Sequence, residues 1–339
     1  MRYDLRAMTA PVVQGPMAGG PATPRLAAAV TGAGGLGFLA GGYKAPDALR
    51  DEIASLRPQA GGAFGVNLFV PPPDRGEPAG LAAYRERIAR EAQARGSTTG
   101  DPVHSDDHWD AKLELLLADP VPVVSFTFGC PNAETAEALQ QRGSAVVVTV
   151  TTVDEAVRAR DAGADALCVQ GAEAGGHQGS FDDAEQRTTP LLDLLPQVRA
   201  ATELPLVGAG GITSAEDTGA ALRAGATAVQ AGTAFLRAPE SGANPVHKAA
   251  LADPAFAETA LTRAFSGRLA RGLVNQFLRD HTAAAPCAYP HVHYLTAPLR
   301  RDAVRSEDPD RVNLWAGTGF RQARQRPAAE IVRQLTARR

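Results

Sequence analysis

The 339-residue sequence predicts an α/β chain folded as a closed (β/α)8 TIM barrel, with a helical insertion after strand three and a C-terminal extension packing on the barrel. Three observations carry this prediction. Short apolar runs rich in β-branched residues recur at 12–14, 36–39, 64–69, 121–126, 145–150, 165–170, 205–209 and 227–231, most of them followed by a turn and a helix-sized segment. Runs such as AVVVTV (145–150) and PVVSF (122–126) are apolar on consecutive positions, as expected for parallel strands covered on both faces. Finally, RDAGADALCVQG (160–171) is echoed by LRAGATAVQAG (222–232), each running from a helix end through Ala-Gly-Ala into an apolar strand, as repeated βα units would.

The elements follow in order. After the first strand, PRLAAAV reads as a helix and GAGGLG (32–37) as the turn into the second strand. That turn carries GxGxxG spacing at Gly32, Gly34 and Gly37, but a dinucleotide site needs a strand before it and a helix after it, and here the order is reversed. Strand three opens an excursion of roughly fifty residues, too long for an ordinary loop. It begins VPPPDRGEP and then shows apolar stripes at Leu81, Tyr84, Ile88 and Ala92 and at Trp109, Leu113 and Leu116, both with helical spacing. Residues 71–119 therefore read as a helical insertion placed to lid the barrel, which is built from 1–70 and 120–240. Residues 241–339, ending in the helix-like AAEIVRQL, complete the barrel and a small domain.

Composition narrows the function classes. Lys plus Arg number 34 against 37 Asp plus Glu, a net charge of −3, and 44% of residues are hydrophobic, which excludes collagen-like, coiled-coil and disordered chains. The uncharged stretch 26–43 is long enough to test as a membrane span, but its six glycines exclude a spanning helix. The N-terminus carries Asp4 and no apolar core of a secretory signal, so the expected location is cytoplasmic. Cys130, Cys168 and Cys287 are far apart, without the spacing of a disulfide framework or a zinc site. The last 40 residues hold ten Arg against five acids; with only Trp315 and Phe320 interleaved, they read as a solvated face rather than a nucleic-acid footprint.

Chemistry is expected at the C-terminal ends of the strands. Past strands seven and eight, GAGGI (208–212) and QAGT (230–233) offer Gly210, Gly211, Gly232 and Thr233 as a phosphate cradle, since glycines let backbone N–H groups approach phosphate oxygens. The plainer reading is that these glycines only close barrel strands. Strand six ends in QGAEAGGHQG (170–179), where Gly175, Gly176 and Gly179 make a close-approach or mobile loop around His177, whose ordinary near-neutral pKa suits proton transfer. Asn67 and Gln170 lie at strand ends, where amides suit a flavin's pyrimidine edge or ribityl chain or else cap their own strands. His291 and His293 would share a strand face, but no third ligand is near in sequence, so no metal is expected.

At this point the motifs become specific. PVVQGPMAGGPATPRLAAAVTGAGGLGFLAGGY (11–43), GVNLF, QGAEAGGHQG, the GAGGI and QAGTAFL segments, AFSGRLARGLVNQF (264–277) and NLWAGTGF together resemble the FMN-dependent nitronate monooxygenases, also called 2-nitropropane dioxygenases. The resemblance spans nearly the whole chain. It implies a barrel with noncovalent FMN that oxidises alkyl nitronates, and possibly nitroalkanes, with O2 to carbonyl compounds and nitrite. It further implies Met17, Asn67, Gln170, Gly175, Gly210, Gly211, Gln230, Ala231, Gly232 and Thr233 as FMN contacts and His177 as the catalytic histidine. The implied partners are a small nitronate and O2, with no nucleic acid or membrane, in a monomer or homodimer. Thr127 stands where many relatives have histidine, which bears on substrate preference. The competing readings are a flavin-type enoyl-acyl-carrier-protein reductase using NADH, a tRNA-directed flavin reductase, and a phosphate-ligand-binding barrel without catalysis.

Overall fold

The structure, a computed structural model, describes residues 2–72 and 78–337; residues 73–77, within the VPPPDRGEP segment, lie outside the described residues. Eight parallel strands form one sheet: β1 (Val12–Gln14), β2 (Gly37–Ala40), β3 (Phe64–Phe69), β4 (Val123–Thr127), β5 (Ala145–Val150), β6 (Ala166–Gln170), β8 (Leu206–Ala209) and β9 (Ala228–Ala231). Its order is β1-β9-β8-β6-β5-β4-β3-β2. The ring closes between β1 and β2, where the Gln14 N–H donates to the Leu36 carbonyl and the Leu36 N–H to the Val12 carbonyl, both at 2.9 Å. All eight expected strands are present, within two residues of the expected ends.

Closure explains the continuous apolar runs. One set of strand residues, including Val13, Phe38, Val123, Val147, Cys168 and Val207, fills the barrel interior, with Leu5 packed in the same cluster. The alternate set, including Val12, Leu39, Val66, Val124, Val148 and Val229, packs outward against the helices. Both faces of the strands are thus covered along most of their length. The two echoed segments are equivalent parts of this ring: each ends a helix with a glycine at positive φ, Gly163 at 91° and Gly225 at 106°, before entering β6 or β9.

The outer ring holds α1 (Pro24–Gly32), α2 (Pro46–Leu56), α4 (Trp109–Ala118), α5 (Ala133–Gln141), α6 (Val153–Asp161), α7 (Leu191–Ala201), α8 (Ala215–Arg223) and α12 (Ala328–Thr336). The two helical stripes after β3 thus part company. Trp109 and the stripe behind it belong to α4, which packs on α2, α5 and β3 as the barrel's third helix. The first stripe is the buried face of α3 (Leu81–Ala94), which packs instead with α11 (His291–Arg305), Phe265 and Phe277. The eighth helix, α12, arrives only after the chain has built a second layer, and it docks on α1, α8 and β1.

That second layer positions the functional region. It contains α9 (Pro245–Ala250), β10 (Thr259–Thr262), β11 (Ala270–Leu273), α10 (Gln276–His281) and α11. β11 pairs antiparallel with both β10 and β7 (Gly176–His177), with Ala270 opposite His177. The glycine loop after β6 is therefore pinned as a strand rather than left mobile.

Candidate active site

A cavity of about 330 Å³ opens where the C-terminal ends of the barrel strands meet the second layer. Met17, Asn67, Gln170, Gly175, His177, Gly210, Gly211, Gln230, Ala231, Gly232 and Thr233 all line it. Residues from five barrel strands or the loops just past them thus converge on one space, as active-site residues of such barrels do.

At the glycine end, among the described residues, the N–H groups of Gly211, Gly232 and Thr233 donate to no protein acceptor. Free N–H groups that face a cavity from glycine-bearing turns and the start of a short helix suit an anionic ligand such as a phosphate. The two glycines are not equivalent. Gly211 has φ of 73°, and a Cβ there would stand 3.3 Å from Glu173 Cβ, so its backbone alone favours glycine. At Gly232 a Cβ would meet only Met17, at 3.7 Å from Sδ, an ordinary contact, so the fold does not require glycine there. Gly175 differs again: a Cβ would come within 2.3 Å of the Gly317 nitrogen, so it is small in order to pack against the loop at 316–317.

The amides also divide. Asn67 is buried and donates to Ser125 Oγ at 2.9 Å and Thr127 Oγ1 at 3.0 Å, while its Oδ1 accepts nothing among the described residues. Thr127, the departure noted above, thus anchors the Asn67 amide. Gln170 is already engaged: its Oε1 accepts from the Gly179 N–H at 2.7 Å and its Nε2 donates to the His177 carbonyl at 3.2 Å. It straps the β6 loop down, leaving one amide hydrogen for a ligand.

His177 Nε2 lies 2.8 Å from Ser266 Oγ, and that hydroxyl donates onward to the Arg268 carbonyl at 3.2 Å. Satisfying both contacts assigns the ring hydrogen to Nε2, so Nδ1 carries the lone pair. The near-neutral pKa expected from sequence is not what this environment gives. Burial pushes the imidazole down to about 3, and the guanidiniums of Arg268 and Arg300 push the same way. Phe128, Tyr289 and Trp315 surround the ring at centroid distances of 5.5–5.9 Å, and Arg268 lies 4.0 Å over the Phe128 ring. His177 is therefore neutral throughout the physiological range.

Sequence reasoning missed Tyr43, Phe128, Ser266 and Arg300 and weighed His293 only as a metal ligand; all five are in the cavity wall. Tyr43 and Phe128 follow β2 and β4 with φ of 64° and 76°, conformations that side chains other than glycine's rarely adopt. Tyr43 is held there by its N–H to Asp107 Oδ1 at 2.9 Å, and Asp107 pairs with the buried Lys112 at 2.8 Å. Its ring stacks on His293 at 4.0 Å. His291 and His293 lie on a helix, α11, rather than a strand, and two residues apart they do not share a helical face. No cluster of potential metal ligands occurs among the described residues. The arginine-rich end is also not all solvated: Arg300 lines the cavity, and the buried Arg311 pairs with Glu91 of α3 at 2.9 Å. A helical pattern at Val292, Leu295, Thr296, Leu299 and Ala303 is the signal that would have placed Arg300.

The buried histidines make a pH prediction. His177 is held at about 3 and His247 at about 4, both mainly by burial, and His281 and His293 are lowered too. Between about pH 6.5, where these groups titrate in the unfolded chain, and their lower folded values, unfolding takes up protons. Stability is therefore full above that window and falls on acidification through it. Thermal melts should show the melting temperature dropping from pH 7 to pH 5, with a shallower drop in His247→Gln; an unchanged slope would show that His247 is not buried neutral.

Comparison with known proteins places this architecture. A sequence model of the family "Nitronate monooxygenase" matches residues 3–338. The nitronate monooxygenase of Pseudomonas aeruginosa is 41% identical over 340 residues, covering 96% of this chain and 95% of that protein. A probable nitronate monooxygenase of Bacillus subtilis is 36% identical, covering 93% and 91%. Among solved structures, the nitroalkane oxidase of Streptomyces ansochromogenes superposes with a TM-score of 0.94 at 51% identity, covering 97% of this chain and 95% of that one. FabK of Thermotoga maritima superposes less well, with a TM-score of 0.77 at 28% identity, covering 98% and 93%. With fold, cavity and these matches in agreement along the whole length, the chain belongs to the nitronate monooxygenase family.

Proposed function

We propose that this protein is an FMN-dependent nitronate monooxygenase that converts alkyl nitronates and O2 to carbonyl compounds and nitrite. The family is one of flavoenzymes. The observation that carries the finer reading is the glycine end of the cavity, where unpartnered N–H groups of Gly211, Gly232 and Thr233 suit one phosphate. FMN brings one such group. The GxGxxG turn that might have held a second phosphate is the join between α1 and β2, where a Cβ on Gly37 would come within 2.1 Å of the Ala27 carbonyl oxygen.

In this reading Gly211, Gly232 and Thr233 hold the phosphate. Gly210, Gln230, Ala231 and Met17 shape that end of the cavity, and the free Oδ1 of Asn67 and the spare hydrogen of Gln170 would be available to the polar groups of bound FMN. Bound FMN supplies the electron transfer and the reaction with O2. The chain's own groups bind and orient the substrate: Phe128, Tyr43 and Trp315 exclude water around the reacting carbon, and His177 offers the Nδ1 lone pair. A histidine held at about 3 is a weak base, so the site is suited to substrate that arrives already deprotonated.

Acid release and chromatography of the bound flavin, followed by aerobic turnover of an alkyl nitronate, test the proposal. The expected results are FMN and nitrite formed together with O2 uptake. Recovery of FAD, or no nitrite from protein loaded with FMN, would overturn it.

A further inference from the structure

Arg300 is the single permanent charge in the cavity wall: among the described residues lining it there is no aspartate or glutamate, and no lysine or other arginine. Its four hydrogen bonds go to neutral acceptors. Nε donates to Thr296 Oγ1 at 3.1 Å, Nη2 to the His293 carbonyl at 2.8 Å and to His293 Nδ1 at 3.4 Å, and Nη1 to Asn313 Oδ1 at 3.4 Å. No carboxylate among the described residues forms an ion pair with it. One Nη1 hydrogen is unused, and two of the bonds are long enough to yield to a better acceptor.

A charge partly withdrawn from water without a counter-charge is costly, and structures normally pair it. The second guanidinium near the site makes the contrast: the Asp183 carboxylate acts on Arg268, whereas no carboxylate acts on Arg300. Arg268 donates to the Gln178 and Ser180 carbonyls and lies over the Phe128 ring, and it does not line the cavity. Arg300 does line the cavity, so the counter-charge it lacks can come from a ligand. Its place is with Tyr43, His177 and His293: its charge acts on both histidines, and its bonding partners lie on α11 and at Asn313 rather than in the glycine loops.

We propose that Arg300 is the specificity-determining residue of the cavity, binding a planar anion through two oxygens and so selecting the nitronate over the neutral nitroalkane. This rests on the functional reading above. A nitronate carries two oxygens on one nitrogen in one plane with a full negative charge, the arrangement that the guanidinium fork matches in carboxylates. The nitro group of the neutral compound has the same shape without the charge, so it gains little from the same contact.

The test uses FMN-loaded protein and nitrate, an unreactive planar anion, titrated by its perturbation of the flavin spectrum. A hydrogen bond to a charged group sets the scale, so Arg300→Met should raise the nitrate Kd and the nitronate KM by about 10–100-fold. KM for nitroethane and the Kd for FMN should be unchanged. Arg300→Gln should behave as Arg300→Met does, and Arg300→Lys should fall between them and wild type; thermal melts identify any variant that fails to fold, in which case the remaining two decide. An unchanged nitrate Kd in a folded Arg300→Met or Arg300→Gln would overturn the inference. So would an equal loss of FMN affinity, which would assign the guanidinium to the cofactor. If wild type oxidises no nitronate yet binds nitrate in an Arg300-dependent way, the functional reading fails and this one stands.

Discussion

Gly232→Val should lower FMN affinity by about 10²-fold, through lost charge-assisted hydrogen bonds to the phosphate, while the cofactor-free protein melts close to wild type. The separation is expected because the surrounding protein leaves space at this position: a Cβ on Gly232 meets only the Met17 side chain, at ordinary contact distance. Its φ of −109° is open to any residue. Gly211→Val is not a clean version of the same experiment. With φ of 73° and Glu173 Cβ 3.3 Å from the new Cβ, it carries a backbone strain of about 1–2 kcal/mol whether or not FMN is present. FMN titrations and melts with and without cofactor distinguish the two. If Gly232→Val loses equal stability in both forms, the glycine serves the fold and the cradle is misassigned.

His177→Asn should keep fold and FMN and lose more activity on a neutral nitroalkane than on the preformed nitronate, by less than the roughly 10²–10⁴-fold that a base with a pKa near the working pH contributes. The asymmetry follows from the assigned tautomer, in which Nε2–H is used by Ser266 and Nδ1 is the only atom able to take a proton from carbon. The same environment sets the pH dependence. Because burial and two guanidiniums hold the imidazole at about 3, it is unprotonated across the working range. The pH profile of kcat/KM for the nitronate should therefore lack an inflection near 6.5 and keep its shape in His177→Asn. Equal losses on both substrates would make His177 a binding contact for the anion instead, and an inflection near 6.5 that disappears in the variant would show that the site leaves the imidazole's pKa unshifted.

The barrel was legible because its strands are covered on both faces, which leaves consecutive apolar runs such as 145–150 that few other structures produce. The cofactor end was legible for a related reason. Glycines at strand ends mark close backbone approach, although sequence alone did not separate Gly232, which the fold leaves free, from Gly175, which packing against Gly317 requires. The substrate end was not legible. Tyr43 and Phe128 adopt positive φ without being glycine, held by contacts from distant segments such as Asp107. Arg300 was hidden in a helix interrupted by Pro298 and flanked by Arg301, so its charge read as surface. The low pKa of His177 likewise comes from burial first and from Arg268 and Arg300 second, and both arise only once the second layer folds over the barrel.

Anaerobic mixing of the FMN-loaded protein with an alkyl nitronate, followed by admission of O2, tests the central claim most directly. The account predicts that the nitronate alone bleaches the oxidised flavin spectrum, that NADH at the same concentration does not, and that O2 restores the spectrum with release of nitrite. A spectrum unmoved by the nitronate but rapidly bleached by NADH would contradict it and assign the cavity to a nicotinamide-dependent reductase.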